Sequence, residues 1–366
     1  MAQRLHNLTI AIGGKQIGGW IEYSVDVNLL AQGNAFSMTR KLEPEAYQLC
    51  ETDARVTIHI DQVPLMTGLI DDVRWSAKAG TLAIAGRCIS GRLVQESAPA
   101  VEYAGLKLSE LVRRLADPWY PAVILEGAKD RSVRRGKGHR APAPTEPLVL
   151  DNVVGRRIEP GSMRWQVIED LVTQAGYLAW GAADGRALII APPNYTQGVQ
   201  YVFTPETCLE LDGEVSTGDG YSQIQVIGSS RGTTADYGTG TTDRVGVVLD
   251  FPALNGVGGD FQRPKRLVIV DTSVRSHADA ERKAACEARR RNQRRRTVVA
   301  ACKGHGQALR GATPTIFTPN TLARCANPSI GFDAVYFITG CTYAAVRDSS
   351  ETTRLQLVPR HTELTL

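Results

Sequence analysis

Apolar and polar residues alternate most cleanly over residues 20–27, where Ile21, Tyr23, Val25 and Val27 are separated by Glu22, Ser24 and Asp26. A period of two places one set of side chains on a buried face and the other in solvent, so this stretch predicts a half-buried strand. Shorter runs at 8–12, 56–60, 69–75 and 82–85 obey the same rule and are parted by turns bearing Gly, Pro or Asp. The first ~95 residues therefore predict a small antiparallel β-barrel or sandwich.

The period then changes. Leu108, Leu111, Val112 and Leu115 fall at helical spacing before Asp117-Pro118 stops the run, which predicts an amphipathic helix. Residues 131–147 are basic, rich in Gly and Pro and without apolar periodicity, and read as an exposed loop. A second helix opens with Ser162 as N-cap, buries Val167, Ile168, Leu171, Val172 and Ala175, and closes at Gly176. Strands at 177–180 and 187–190 flank an Asp184-Gly185 turn and predict a hairpin. Further strands are expected at 199–203 and 221–227, and 229–260, heavy in Gly, Thr and Asp, reads as loop.

A third helix is expected from Ser276, which with Asp279 forms a capping box, to about Arg296, with Ala280, Ala284 and Ala288 on one face. Strands return at 297–302, 335–341 and 353–358. Two hairpins look alike: one runs from Thr67-Gly68 to Arg87, the other from Thr339-Gly340 to Arg360, and their lengths agree to within one residue. The fold class expected is mainly β with α+β insertions.

Size and charge narrow the partners. A chain of 366 residues predicts two to four folded units. Its 42 basic and 38 acidic side chains leave a net charge of only +4, too little by itself to argue for nucleic acid. The first residues lack the basic-then-apolar pattern of a secretory signal, and no apolar run approaches the ~20 residues of a membrane span, so folding in the cytoplasm is expected. Seven scattered cysteines without a C-x-x-C pair suit neither a disulfide framework nor a zinc ribbon and read as reduced, mostly buried small residues.

Enzyme-like features are weak. Residues 228–232 fit G-x-S-x-G with Ser230 central, but residues 233–238 offer none of the apolar helical face that a nucleophile elbow requires, so a surface turn is expected. The histidines lack H-E-x-x-H spacing, and His305 has no neighbouring ligand in sequence. Adjacent Asp71 and Asp72 on a regular strand would leave opposite faces, which excludes a catalytic carboxylate pair and leaves one facing solvent or a partner. No nucleotide-binding glycine motif is present, and no cofactor or metal is expected. The arginine run, Arg289, Arg290, Arg291, Arg294, Arg295 and Arg296, could neutralise phosphates, although Glu287 and Arg291 have the spacing of an ordinary solvated helix.

Five stretches occur in a family order: GGWIEYSVDVNLLAQGNAFSMT (18–39), TGLIDDVRWSAKAGTLAIAGRCISGRLVQESAP (67–99), KLSELVRRLADPWYPAV (107–123), RIEPGSMRWQVIEDLVTQAGYLAWGAADGRALII (157–190) and AERKAACEARRRNQRRRTVVAACKGHG (280–306). Together they resemble the baseplate hub family of Mu-like contractile-tailed bacteriophages. That family includes the late control D proteins and is related in fold to the N-terminal part of VgrG spikes. The resemblance implies two small antiparallel β-barrels per chain plus peripheral mixed α/β domains: 1–97 as the first barrel, 98–203 as a peripheral domain, 204–232 with 297–366 as the second barrel, and 233–296 as an insertion carrying the arginine helix. It implies a structural protein and not an enzyme, a homotrimer of the virion's tail baseplate assembled in the host cytoplasm. The tail tube protein, central spike protein and other baseplate proteins are the implied partners, with tape measure protein or DNA passing a central channel. Trp20, Asp71, Asp72, Arg87, Gly304 and His305 lie in the matching stretches and, with Arg289, Arg290 and Arg294, are the candidate interface residues. A nucleic-acid-binding β protein using the arginine helix is the alternative.

Overall fold

The computed structural model describes residues 6–31, 33–99, 108–125, 158, 160–174, 177–218, 220–228, 245–250, 265–271, 274, 277–307, 315–347 and 349–360. The chain divides into two compact units, the first made of 1–193, 303–319 and 340–353, the second of 194–302, 320–339 and 354–366.

In the first unit, β1 (Leu8–Ile12), β2 (Lys15–Ile17), β3 (Trp20–Asn28), β4 (Ala35–Lys41), β5 (Arg55–Ile60), β6 (Val63–Ser76) and β7 (Thr81–Cys88) pair antiparallel in the order β2-β1-β5-β6-β7-β4-β3. Residues 340–345, the end of the long strand β20 (Phe332–Ala345), continue the sheet beyond β3. The strands predicted at 8–12, 20–27, 56–60 and 82–85 are thus present, with Ile10, Tyr23, Val25, Ile58 and Ile84 among the buried residues their alternation sends inward. The short helix α1 (Pro44–Leu49) joins β4 to β5.

β6 is the pivot of this sheet. Its first half pairs with β5 and its second half with β7, and between Ile70 and Asp72 the register against β7 shifts by a bulge. The strands pinch there. A methyl group on Gly68 would overlap the carbonyl oxygen of Arg87, and one on Gly86 would overlap that of Leu69 and stand 2.6 Å from the Phe36 ring.

A second layer of the first unit comes after β7. It comprises α2 (Ser90–Gln95), α3 (Leu108–Ala116), β8 (Ala122–Leu125), α4 (Arg164–Gln174), β9 (Leu178–Gly181) and β10 (Ala187–Ala191). The sheet order is β8-β10-β9, with β8 parallel to β10 and the predicted hairpin of β9 and β10 turning through Asp184-Gly185. Leu111, Val112 and Leu115 of α3 meet Ile168, Leu171 and Val172 of α4 and Leu188 and Ile190 of β10 in one core. The hairpin tip is tied to the larger sheet by Arg55 Nη2 donating to Gly185 O and Thr67 Oγ1 donating to Ala183 O, each at 2.7 Å. Gly176 and the loop 131–147 lie outside the described residues.

The second unit contains β11 (Val199–Phe203), β12 (Glu210–Val215), β13 (Gln223–Gly228), β14 (Val245–Asp250), β15 (Arg266–Asp271), α5 (His277–Gln293) and β16 (Arg296–Lys303). The small ribbon β17 (Gly306–Gln307) and β18 (Thr315–Ile316) falls in the first unit, and β19 (Thr321–Asn327), most of β20 and the end of β21 (Thr352–Pro359) complete the second. Strand order here is β12-β16-β21-β20-β19-β11. A separate three-stranded sheet, β14-β13-β15, packs on α5, where Ala280, Ala284 and Ala288 present the expected small-residue face to Ile224 and Val226. Two expectations need correction: 229–260 is not wholly loop, since β14 runs through it, and the third helix stops at Gln293 because Arg296 already pairs in β16 against β12. Ser276 of the expected capping box is outside the described residues.

The two units repeat one order. β3-β4-β7-β6-β5-β1 in the first corresponds step by step to β12-β16-β21-β20-β19-β11 in the second. In each, a strand of 14 residues is followed by one of 8, which is the hairpin likeness seen in the sequence. The repeats differ at the last step, where β1 is antiparallel to β5 but β11 is parallel to β19. Among the described residues neither series of pairings closes on itself as a ring, so the structure is mainly β without a closed barrel.

Hydrogen bonds clasp the start of the first unit. His6 N donates to Glu351 Oε2 at 2.9 Å, Asn7 N donates to Asp61 Oδ1 at 2.8 Å, and His6 Nδ1 lies 2.5 Å from Asp61 Oδ2. Beneath them His305, fully buried, places Nε2 2.7 Å from the Tyr23 hydroxyl and Nδ1 2.8 Å from Thr353 Oγ1. The Thr353 hydroxyl gives its single proton to Gly304 O at 2.8 Å, so His305 Nδ1 carries the proton shared with it.

Two outcomes are expected. Gly86→Ala forces backbone and Phe36 apart and should cost about 1–3 kcal/mol, read as a lower denaturant midpoint in urea. Burial works to raise the Asp61 carboxyl, but the Asn7 and His6 hydrogen bonds outweigh it and hold the pKa below its ordinary value. The stability this confers is fully present above the ordinary carboxylate pKa and is lost as pH falls through the lowered folded value. Asp61→Asn should therefore flatten the acid limb of midpoint against pH, and an unchanged limb would reject the assignment.

Candidate functional site

The outer face of the first sheet forms an open concavity of about 460 Å³, floored by Ala35, Phe36, Ala85 and Gly86. Ser24 and Asp26 reach it from β3, Ser37 from β4, Asp71 and Asp72 from β6, and Arg87 from β7. The polar positions of β3 that alternation assigned to the solvent side supply two of these groups.

Three of the candidate interface residues, Asp71, Asp72 and Arg87, are thereby brought together. The expectation that Asp71 and Asp72 leave opposite faces is corrected: the bulge at this point sets two residues of β6 against one of β7, which breaks strict alternation, and both aspartates line the same concavity. Arg87 Nε donates to Asp71 Oδ2 at 2.8 Å, and Arg92 stands 4.0 Å from the other Asp71 oxygen while also binding Asp53. Asp72 is the open member of the group, 60% exposed and 4.0 Å from an Arg74 that is itself 82% exposed. One carboxylate is thus neutralised in place and the other is presented outward.

The remaining candidates lie elsewhere. Trp20 is buried, with the Arg40 guanidinium over its ring at 5.9 Å. Gly304 has φ +77° and donates its N–H to Glu351 O at 2.8 Å, fixing the turn that buries His305. On and after α5 the arginines separate. Arg290 and Arg294 are exposed, Arg291 donates to Glu287 at 3.0 Å and covers the Tyr221 ring at 5.3 Å, and Arg295 is buried beside Gly220. The Arg289 side chain is outside the described residues, as is Ser230 of the G-x-S-x-G match.

Among the described residues no group of three or more His, Cys, Asp or Glu could hold a metal ion, and no helix is long and apolar enough to cross a membrane. The arrangement can recognise a surface; it has no reacting group and base in contact.

No curated protein matches the chain. Among solved structures, a tail protein from Neisseria meningitidis MC58 is 19% identical, with TM-score 0.74 and 96% of each chain covered. The 43 kDa tail protein of prophage MuSo2 from Shewanella oneidensis is also 19% identical, with TM-score 0.72 over 97% of this chain and 98% of that one. A type VI secretion component of E. coli, described as structurally similar to the T4 tail proteins gp27 and gp5, is 10% identical at TM-score 0.53, covering 98% of this chain and 78% of its own. At these identities the likeness is one of fold. Residues 7–92, which include β1 to β7 and the whole concavity, match the family model described as Mu phage baseplate assembly protein GpP-like, N-terminal. The segment 7–92 is thus similar to the N-terminal domain of Mu GpP-like baseplate assembly proteins, and the chain as a whole shares the fold of these tail proteins.

Proposed function

We propose that this chain is a structural hub of a contractile-tail baseplate, acting as a homotrimer that joins a sixfold tail tube to a threefold spike around a central channel. The observation that carries the reading is the repeated six-strand order. Two like modules per chain give six in a trimer, which reconciles a threefold partner on one side with a sixfold partner on the other. On this reading each module is one small barrel, completed by packing in the assembly. The GpP-like domain over 7–92 supports a baseplate location in the virion, with assembly in the host cytoplasm.

The mechanism is mechanical. Free energy of association is spread over broad subunit faces, as in obligate oligomers, and the concavity bearing Asp26, Asp71, Asp72 and Arg87 is one such face, with Asp72 its outward charge. Arg290 and Arg294 contribute from α5 and the segment after it as solvent-facing contacts. Binding of nucleic acid by a six-arginine face is the weaker reading, because Arg291 is held by Glu287 and Tyr221 and Arg295 is buried. No catalytic step belongs to the function.

Light scattering of the purified chain across a dilution series should give about three chain masses, alone or once spike protein is added. A monomer or dimer that ignores both spike and tube proteins would overturn the hub. Reversing the exposed charge in Asp72→Arg should leave fold stability within about 0.5 kcal/mol while weakening assembly, measured as a fall in trimer fraction at fixed concentration.

A further inference from the structure

Two thiols of the second unit stand in contact. Cys208 comes directly after the turn 204–207 and Cys302 lies near the end of β16, with their sulfurs 3.5 Å apart. The approach is enforced by the backbone. Leu209 N donates to Ala301 O at 2.7 Å, one residue out of the register in which Glu210 faces Ala301, and this offset brings Cys208 opposite Cys302. The turn residues Pro205, Glu206 and Thr207 that precede Cys208 are exposed, and Cys208 itself is half-buried rather than sealed in the core. A disulfide of about 2.05 Å needs the sulfurs to close by roughly 1.5 Å, a distance within side-chain rotation.

The other described thiols differ in kind. Burial pushes Cys50 and Cys88 up, and Cys325 and Cys341 up to about 12, which keeps them protonated and inert. At Cys208 the hydrogen bond with Cys302 outweighs burial, with Thr207 assisting, and lowers the thiol below its ordinary range. One sulfur is thus favoured as nucleophile, and a second sits where a resolving thiol must be.

We propose that Cys208 and Cys302 form an oxidative modification site that a low-molecular-weight disulfide converts into an intramolecular disulfide. The Cys208 thiolate attacks one sulfur of the small disulfide, forming a mixed disulfide and releasing one small thiolate. Cys302 gives up its proton to solvent, and its thiolate attacks the Cys208 sulfur, breaking the mixed bond and releasing the second small thiolate. The protein loses two electrons and two protons; the small disulfide is reduced to two thiols. The new bond encloses residues 208–302, which include β13, β14, β15 and α5, in a covalent loop anchored at the β12–β16 ladder.

The test is oxidised glutathione added to the native full-length chain, with thiol counting in denaturant, intact mass and peptide mapping as readouts. Free thiols should fall by two from the seven in the chain, the mass should drop by about 2 Da without a retained adduct, and mapping should join Cys208 to Cys302. Cys302→Ser should stop at one stable glutathione adduct on Cys208, and Cys208→Ser should remain unreacted over the same time. A full count of seven, a linkage elsewhere or an adduct on another cysteine overturns the proposal. Should a variant fail to fold, limited iodoacetamide labelling of the unaltered native chain decides: Cys208 labelled first supports the site, and any other cysteine first rejects it.

Discussion

The first unit depends on a strand that changes partners halfway. β6 leaves β5 and takes up β7 around Gly68, and the exchange is possible only because Gly68 and Gly86 let backbones approach where any side chain would overlap a carbonyl. The bulge at Asp71 belongs to the same event. An extra residue in one strand bends it and increases its twist, and the bend turns two consecutive carboxylates onto one face. Curvature of the sheet and chemistry of the concavity thus have one cause.

That cause explains what could be read along the chain and what could not. β1 and β3 were legible because each buries one face against a core, and alternation is the signature of that state. β12 was not, because nearly all its residues are exposed and it is held by its ladder to β16 instead of by a buried face of its own. β14 was hidden inside a Gly- and Thr-rich stretch, and β19, buried at several successive positions, lacks clean alternation. A bulge leaves no period in the sequence, so the placement of Asp72 beside Asp71 could not be deduced from spacing. The His305 contacts were beyond reach for another reason: Tyr23 is 282 positions away.

The arginine run shows the limit of reading charge from composition. Six arginines in eight positions suggest a single basic face. The helix ends at Gln293, however, and the chain passes through a turn at Arg294 and Arg295 into β16, with Arg294 and Arg296 exposed and Arg295 turned inward against Gly220. Arg291 stays with Glu287 and Tyr221. Local conformation divides the run into packing residues and solvent-facing residues, and only the latter are available to a partner.

Each unit takes its closing pieces from residues 340–359. The first sheet needs residues 340–345 beside β3, and the second needs the strand that ends at Pro359. During synthesis from the N-terminus, the apolar edge prepared by Trp20 to Asn28 therefore emerges from the ribosome more than three hundred residues before its neighbour exists. Completion of both sheets waits for residues 340–359, and the unfinished sheet edges must stay soluble, or be shielded by chaperones, until these have been made.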